Sequence, residues 1–138
     1  MARMPRQKNK ARKPREIKSE TLLIVDANRK LLDGLSRLMA DMGLTVFTSE
    51  TASTARRLVR EHKPDAALLG YMLPDWNGVE LGVEFLTSIP QMHIVMMTAT
   101  LLPPEEEALC EEHNLPVLRK PFLISDFVRV LRELENRR

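Results

Sequence analysis

Short apolar runs alternate with longer amphipathic segments along the chain from residue 21 onward. Five of the runs have the length of β-strands, and the first and fourth are almost wholly apolar, which is typical of strands buried on both faces. The predicted strands are Thr21–Val25, Leu44–Thr48, Asp65–Leu69, His93–Thr98 and Leu115–Arg119. Apolar residues recur every three or four positions after each strand, which is the period of an amphipathic helix. The pattern predicts five βα units around one parallel sheet.

Turn and capping residues indicate where the predicted helices begin and end. Gly43 ends the first helix, and the second ends before Pro64, because the residue that precedes a proline is disfavoured in a helix. The fourth opens at Pro103 and Pro104, where the missing N–H of proline needs no partner. Ser125 is the predicted N-cap of the fifth helix. The predicted fold class is α/β, a doubly wound (βα)₅ sheet of five parallel strands.

Charge is distributed unevenly along the 138 residues. The net charge is only +2, but residues 1–18 contain eight Lys or Arg against one acid, Glu16, and carry +7, so that the remainder carries −5. Residues 1–18 have too few apolar side chains to build a core. We therefore predict two parts, a basic and disordered N-terminal arm over 1–18 and one globular domain over 19–138.

Composition excludes several classes of protein. No apolar run approaches the roughly 18 residues that a membrane-spanning helix needs, and no signal-peptide segment follows the basic N-terminus. The single cysteine, Cys110, cannot form an internal disulfide, and the three histidines are scattered without zinc-site spacing. We expect a cytoplasmic protein without a membrane span.

Sheets of this kind bind ligands outside the carboxyl ends of their strands. Four segments at these ends carry recognisable motifs: Leu-Ile-Val-Asp-Ala-Asn at 23–28, Met-Leu-Pro-Asp-Trp-Asn-Gly at 72–78, Met-Met-Thr-Ala at 96–99 and Arg-Lys-Pro-Phe at 119–122. From about residue 21 to 134 the chain resembles the receiver domain of two-component response regulators. The resemblance implies a flavodoxin-like fold and a role in phosphorelay signal transduction, and we expect no enzymatic activity.

The resemblance also implies the layout of a phosphoacceptor site. In the family, an aspartate that ends the third strand accepts a phosphoryl group, and two acids after the first strand help it to hold Mg²⁺. A Ser or Thr after the fourth strand and a Lys after the fifth bind the phosphoryl oxygens. Asp26, Thr98 and Lys120 match this layout. Gly70 stands at the acceptor position and Ala27 at the position of the second acid.

These two differences predict a vestigial pocket. Glycine offers no nucleophile, and the loss of two carboxylates removes most of the oxygen ligands of a hard cation. We therefore expect no catalytic residue, no Mg²⁺ or other cofactor, and an ion pair between Asp26 and Lys120. The resemblance implies a cis bond before Pro121. Receivers commonly have an aromatic residue where Val117 stands, so their usual switching ring is missing here.

The leading interpretation is a stand-alone pseudo-receiver that binds a protein partner without phosphorylation, since no output domain follows the fifth helix in this sequence. Plainer readings make Asp26 a helix cap and Thr98 an ordinary strand-end hydroxyl. A conventional receiver is the alternative, either with another carboxylate such as Asp75, which is expected to point to solvent, or with an engineered Gly70. Nucleic-acid or anionic-surface attachment through the arm is a lesser alternative, because residues 1–18 hold no aromatic residue for base stacking. Trp76 either anchors a partner or packs over the crevice.

The expected interaction face consists of the fourth helix, the fifth strand and the fifth helix, which the family uses for dimers and partners. The fourth helix is acidic, and the fifth is basic towards its end. The residues on this face are Glu107, Glu111, Val117, Arg129 and Arg132. Opposite charges on one face allow an isologous homodimer, and two solvated helix faces are the plainer alternative.

Overall fold

Five parallel strands and five helices alternate along the chain in a computed structural model, which describes residues 17–137. The elements are β1 (Thr21–Val25), α1 (Arg29–Asp41), β2 (Thr45–Ser49), α2 (Ala52–His62), β3 (Ala66–Gly70), α3 (Gly78–Ser88), β4 (His93–Thr98), α4 (Pro104–Glu112), β5 (Val117–Arg119) and α5 (Ile124–Asn136). The strand order is β2-β1-β3-β4-β5. The predicted doubly wound (βα)₅ fold is confirmed.

The sheet is buried on both faces, and its two faces form separate cores. In β1, Leu22 and Ile24 face α1 and α5, whereas Leu23 and Val25 face α2, α3 and α4. Successive side chains of a strand point to opposite faces of the sheet, so one apolar run serves both cores. Helices therefore pack against both faces of β1, β3 and β4, and the loops that follow these strands begin at buried residues.

The helix boundaries agree with the predictions except at α5. This helix begins at Ile124, with Leu123 at the N-cap position, so Ser125 lies inside the helix and the prediction that it is the cap is wrong. The carboxylate of Asp126 accepts the backbone N–H of Leu123 at 3.2 Å. An acidic side chain three residues after the N-cap commonly accepts the N–H of the N-cap residue in this way. The longest helices have 13 residues, and within residues 17–137 none is long and apolar enough to cross a membrane.

The domain begins earlier than the sequence predicts. Residues 1–16 of the predicted arm lie outside the described residues, but Ile17 is buried in the core and the backbone N–H of Lys18 donates to Glu135 at 2.8 Å. The other oxygen of Glu135 accepts from both the N–H and the hydroxyl of Ser19, at 2.9 and 2.6 Å. Residues 17 and 18 therefore belong to the domain. A boundary at residue 18 is wrong because Glu135, at the far end of the chain, anchors this segment.

Candidate functional site

The carboxyl ends of β1, β3 and β5 bring three of the predicted pocket residues to one place. Asp26 directly follows β1, Gly70 ends the adjacent strand β3, and Lys120 follows β5. The ammonium Nζ of Lys120 lies 2.7 Å from Oδ2 of Asp26. The predicted ion pair is therefore present in the structure.

Both oxygens of the Asp26 carboxylate are in use. Oδ2 binds Lys120, and Oδ1 accepts the backbone N–H of Asn28 at 2.9 Å. The side chain of Asp26 is only 6% exposed and that of Lys120 is 26% exposed, so the pair is largely withdrawn from water. Asp26 does not cap α1, because Asn28 occupies the N-cap position and accepts the N–H of Leu31. Burying a carboxylate costs less when a cation and a hydrogen-bond donor satisfy its two oxygens, as they do here.

Gly70 leaves the space that the Asp26 carboxylate occupies. A β-carbon built on Gly70 would lie 2.6 Å from Oδ2 of Asp26 and 3.2 Å from the carbonyl oxygen of Val25. A separation of 2.6 Å is shorter than any ordinary contact between carbon and oxygen, so a side chain at position 70 requires Asp26 to move. The ion pair between Asp26 and Lys120 in this geometry therefore depends on glycine at position 70.

A second glycine fixes the loop that follows β3. The N–H of Gly78 donates to the carbonyl oxygen of Tyr71 at 2.6 Å, and a β-carbon on Gly78 would lie 1.8 Å from the carbonyl oxygen of Gly70. Residues Met72 and Asn77 form an isolated antiparallel bridge across the same loop. The motif at 72–78 therefore folds back on the end of β3, and only glycine fits at position 78.

Asp75 joins this loop to α2. Its two carboxylate oxygens accept the backbone N–H groups of Ala52 and Ser53 at 2.8 and 3.0 Å. The hydrogen bond from Ala52 lowers the pKa of Asp75 below its ordinary value of 3.8. Asp75 is exposed, as expected, but the expectation that its carboxylate points only to solvent is wrong. This contact spans 23 positions of sequence, and no local motif indicates it.

Trp76 packs against Arg56 of α2. The guanidinium carbon of Arg56 lies 5.4 Å from the centre of the indole ring, in cation–π geometry. Arg56 is itself held by Glu84 on α3, at 2.7 Å. Trp76 keeps 47% of its surface exposed. The ring is thus held by Arg56 on one side and exposed to solvent on the other, and its role as an anchor for a partner stays a prediction.

Thr98 is buried at the end of β4, and its hydroxyl is engaged locally. Oγ1 donates to the carbonyl oxygen of Thr100 at 3.0 Å and accepts the N–H of Thr100 at 3.1 Å. This is the geometry of an ordinary strand-end turn. The backbone of Thr98 contacts the pocket, because its carbonyl oxygen accepts the N–H of Lys120 at 2.8 Å. The peptide bond between Lys120 and Pro121 is cis, as the resemblance implies.

The pocket residues do not form a donor set for Mg²⁺. Asp26 is the one acid contributed by the end of β1, and Lys120 already binds it, whereas Ala27 is exposed and has no side-chain oxygen. No group of three His, Cys, Asp or Glu side chains within residues 17–137 is arranged to hold a metal ion. Mg²⁺ is usually held by one or two carboxylates, with waters completing its six oxygen ligands, and the one carboxylate of this pocket is already bound to a cation, so the residues present are a poor fit for Mg²⁺.

On the predicted interaction face, the acidic residues of α4 are exposed as expected, but acids of α5 lie beside its Arg129. Glu107 and Glu111 on α4 are exposed, and Val117 on β5 is half-buried. Arg132 is half-buried on α5. Arg129 lies 3.6 Å from Asp126 and 3.9 Å from Glu133 of its own helix. These acids offset the positive charge that the sequence assigns to α5.

Comparison with known proteins identifies the family. The model of the response regulator receiver domain matches residues 22–132. The chain belongs to the response regulator receiver domain family. The matched region runs from β1 into α5 and includes every pocket residue described above.

Individual relatives agree with this assignment. The chain is 30% identical over 118 residues to the DNA-binding transcriptional regulator NtrC of Azospirillum brasilense, a match that covers 84% of this chain and 24% of the relative. It is 27% identical over 117 residues to the probable transcriptional regulatory protein TcrX of Mycobacterium tuberculosis, covering 85% and 50%. This receiver domain therefore spans between a quarter and a half of the length of these curated relatives.

Solved structures share the fold. A CheY-like response regulator receiver domain protein from Methanospirillum hungatei superposes with a TM-score of 0.79 at 23% identity, covering 86% of this chain and 94% of that one. The chemotaxis protein CheY4 of Vibrio cholerae gives a TM-score of 0.74 at 19% identity, covering 83% and 98%. At sequence identities this low, the superpositions show a shared fold.

Proposed function

We propose that this receiver domain acts without phosphorylation, as a protein-interaction domain in two-component signalling. The observation that carries the proposal is the position of the Asp26 carboxylate, 2.6 Å from the β-carbon position of Gly70 and 2.7 Å from Nζ of Lys120. The space of an acceptor side chain is filled by a neighbouring carboxylate, and the lysine that the family uses for phosphoryl oxygens is bound to that carboxylate.

The chemistry of phosphoryl transfer supports the proposal. The reaction needs a nucleophile in line with the leaving group and cations that neutralise the developing charge. Gly70 has no side chain, and the pocket residues are a poor fit for Mg²⁺. A receiver domain without nucleophile and metal has no route to an acyl phosphate at this position.

The nearby carboxylates are poor substitutes for the missing acceptor. Both oxygens of Asp26 are hydrogen-bonded, one of them to the cation that would have to bind the phosphoryl group. Both oxygens of Asp75 accept backbone N–H groups of α2. A carboxylate whose lone pairs are held by donors is a weaker nucleophile, and attack would break the contact of Asp75 with α2. These contacts favour the proposal over the alternative, a conventional receiver in which Asp26 or Asp75 accepts the phosphoryl group.

The same contacts indicate how the domain would signal. With Lys120 held by Asp26 and Thr98 held in a local turn, neither side chain is poised to respond to a phosphoryl group. The domain would therefore present one surface at all times, and its partner would be controlled by the amount or location of the protein. The face of α4, β5 and α5 is still a prediction for that partner, with Glu107 and Glu111 exposed. Attachment through the basic arm rests on residues 1–16, which lie outside the described residues.

Restoring the missing acids tests the proposal. We expect Gly70→Asp to give weak labelling by acetyl phosphate with Mg²⁺, because Ala27 still supplies no second metal ligand. The double change Gly70→Asp with Ala27→Asp is expected to label at least about tenfold faster, because the second new carboxylate is a further ligand for Mg²⁺. A tenfold difference in rate corresponds to about 1.4 kcal/mol of activation free energy. Equal rates for the single and double variants would contradict the role given to Ala27. Labelling of the unchanged protein would overturn the proposal.

A further inference from the structure

The segment that precedes β1 lies beside the end of α2. The backbone N–H groups of Glu20 and Thr21 donate to the carboxylate of Asp65 at 2.7 and 3.2 Å, and the N–H of Asp65 donates to the hydroxyl of Thr21 at 2.8 Å. Asp65 follows α2 by three positions, and Lys18 and Lys63 line one cavity at this end of the sheet. The basic arm therefore joins the domain next to the last turn of α2.

The same segment is held from a second side. Both oxygens of the Glu135 carboxylate accept hydrogen bonds from Lys18 and Ser19, and Ile17 is buried in the core. The carboxylates of Glu135 and Asp65 together accept the backbone N–H groups of four consecutive residues. The point at which the basic arm joins the domain is therefore fixed relative to α2.

This part of the domain presents cations that the domain does not neutralise. Lys18, Arg60 and Lys63 are exposed, and none of the three forms an ion pair with another residue of 17–137. We call these three residues the basic junction. The other two arginines of α2 are paired with glutamates. Among the five described helices, α2 is the one with basic residues in its last turn. The basic junction is thus open to an anionic ligand.

The acids near the basic junction are outnumbered once the arm is included. Glu20, Asp65 and Glu135 line the same cavity, and the last two direct carboxylate oxygens to backbone N–H groups. Residues 1–16 contain seven Lys or Arg and one acid. Because the arm joins the domain at the basic junction, its charge adds to that of the junction, and the two form one strongly positive region.

Lys63 stands at a position that favours glycine. It follows α2 with a φ of 44° and a ψ of 63°, in the left-handed region, and its N–H donates to the carbonyl oxygen of Val59 at 2.9 Å. A β-carbon is strained in this conformation, so glycine is the common residue at such a helix end. The backbone therefore does not require a lysine here, and its side chain is free to serve binding.

We propose that the basic arm and the basic junction together bind duplex nucleic acid through its phosphate groups. Lys and Arg side chains that contact phosphates release the counterions of the duplex, which provides affinity without contacts to the bases. Residues 1–16 contain no aromatic residue on which a single strand would stack, and too few apolar residues to enter a membrane surface. These features favour a duplex over both. The inference is independent of the closed pocket, which lies at the opposite end of the sheet.

The test is titration of a short fluorescent DNA duplex with the whole 138-residue chain at several salt concentrations, followed by anisotropy. The variant Arg60→Gln with Lys63→Gly is expected to bind at least about tenfold more weakly, and to reduce the slope of log Kd against log salt by about two, one for each lost phosphate contact. Lys30→Gln with Arg119→Gln is the matched control. It removes the same charge from exposed residues at the carboxyl end of the sheet and is expected to leave Kd unchanged.

Two further variants separate the contributions. Lys63→Gly alone is expected to weaken binding while its urea midpoint stays equal to or above that of the unchanged protein, because glycine relieves the strain at this position. A merely structural role for Lys63 would not give this combination. The variant Lys8→Gln, Lys10→Gln, Lys13→Gln is expected to lose at least about tenfold in affinity, because the arm supplies most of the cations.

The absence of duplex binding at low salt would overturn the inference. So would an equal loss in the control variant, or binding that depends on the arm and not on Arg60 and Lys63. Equally tight binding to a single strand, or to vesicles that contain phosphatidylserine, would overturn the choice of a duplex. Labelling by acetyl phosphate is measured separately, so that the proposed function and this inference fail independently.

Discussion

The carboxylate of Asp26 and the missing side chain of Gly70 compete for one space. Oδ2 of Asp26 lies 2.6 Å from the position of a β-carbon at residue 70, and the same oxygen binds Lys120 at 2.7 Å. The glycine is therefore part of a packed and hydrogen-bonded arrangement. Any side chain at position 70 has to displace the Asp26 carboxylate.

Gly70→Ala is expected to lower the free energy of unfolding by about 1–2 kcal/mol, because the methyl group pushes Asp26 away from its charged hydrogen-bond partner. Gly34→Ala is the matched control, since Gly34 lies in α1 with nothing within 4 Å of an added β-carbon. That change is expected to stabilise the protein by about 0.5–1 kcal/mol through helix propensity. Urea denaturation measures both. A Gly70→Ala protein as stable as the unchanged one would contradict the competition for space.

Lys120→Met is expected to cost about 2–4 kcal/mol of stability, because it leaves the largely buried Asp26 carboxylate without a cation. The double variant Asp26→Asn with Lys120→Met removes both charges and is expected to recover to within about 1 kcal/mol of the unchanged protein. Lys30→Met is the control at an exposed lysine, with an effect within about 0.5 kcal/mol. If Lys120→Met behaved like Lys30→Met in urea denaturation, the ion pair would have no structural role.

Asp75→Ala is expected to lower the thermal midpoint at neutral pH, because α2 loses the carboxylate that accepts its first N–H groups. The pKa of Asp75 is lower in the folded protein than its ordinary value of 3.8, so its stabilising effect is fully present above that value. The effect is lost as the pH falls through the folded pKa. The difference between the variant and the unchanged protein should therefore shrink in acid. An equal difference at neutral and acidic pH, or a matching pH dependence for Asp33→Ala, would contradict this role.

Cys110 is expected to be unreactive in the folded protein. The thiol is buried on α4, and burial raises its pKa to about 11, with Glu106 and Glu107 acting in the same direction. Because the thiolate is the reactive form, a thiol reagent at pH 8 should modify Cys110 only after denaturation. Rapid stoichiometric labelling of the native protein would show that α4 opens readily.

Much of the fold follows from periodicity. The predicted strands at Thr21–Val25 and His93–Thr98 match the observed ones, because an apolar run bounded by turn residues has little freedom to shift. The first two residues predicted for the last strand lie outside β5, which begins at Val117. Ser125 is a favoured cap by residue type, but the helix begins two residues earlier than such a cap predicts, at Ile124, and the Asp126 carboxylate accepts the N–H of Leu123.

Some contacts in and around the pocket are predicted in advance, and others are seen only in the structure. The pairing of Asp26 with Lys120 is predicted from the resemblance to receiver domains, which places both residues in one pocket, where a single acid and a single lysine gain by pairing. The contact of Asp75 with Ala52 and the anchoring of Ser19 by Glu135 join residues far apart in sequence. Such contacts depend on how helices and loops settle against each other, and no spacing within one segment encodes them.

The most direct test of the account is incubation of the unchanged protein with acetyl phosphate and Mg²⁺, followed by intact mass measurement, with a conventional receiver domain as the positive control. The account predicts that the control gains the mass of one phosphoryl group and that this protein gains none. A hydroxylamine-sensitive phosphoryl adduct on this protein would show that one of its carboxylates accepts a phosphoryl group, and would contradict a pocket closed by Asp26 and Lys120.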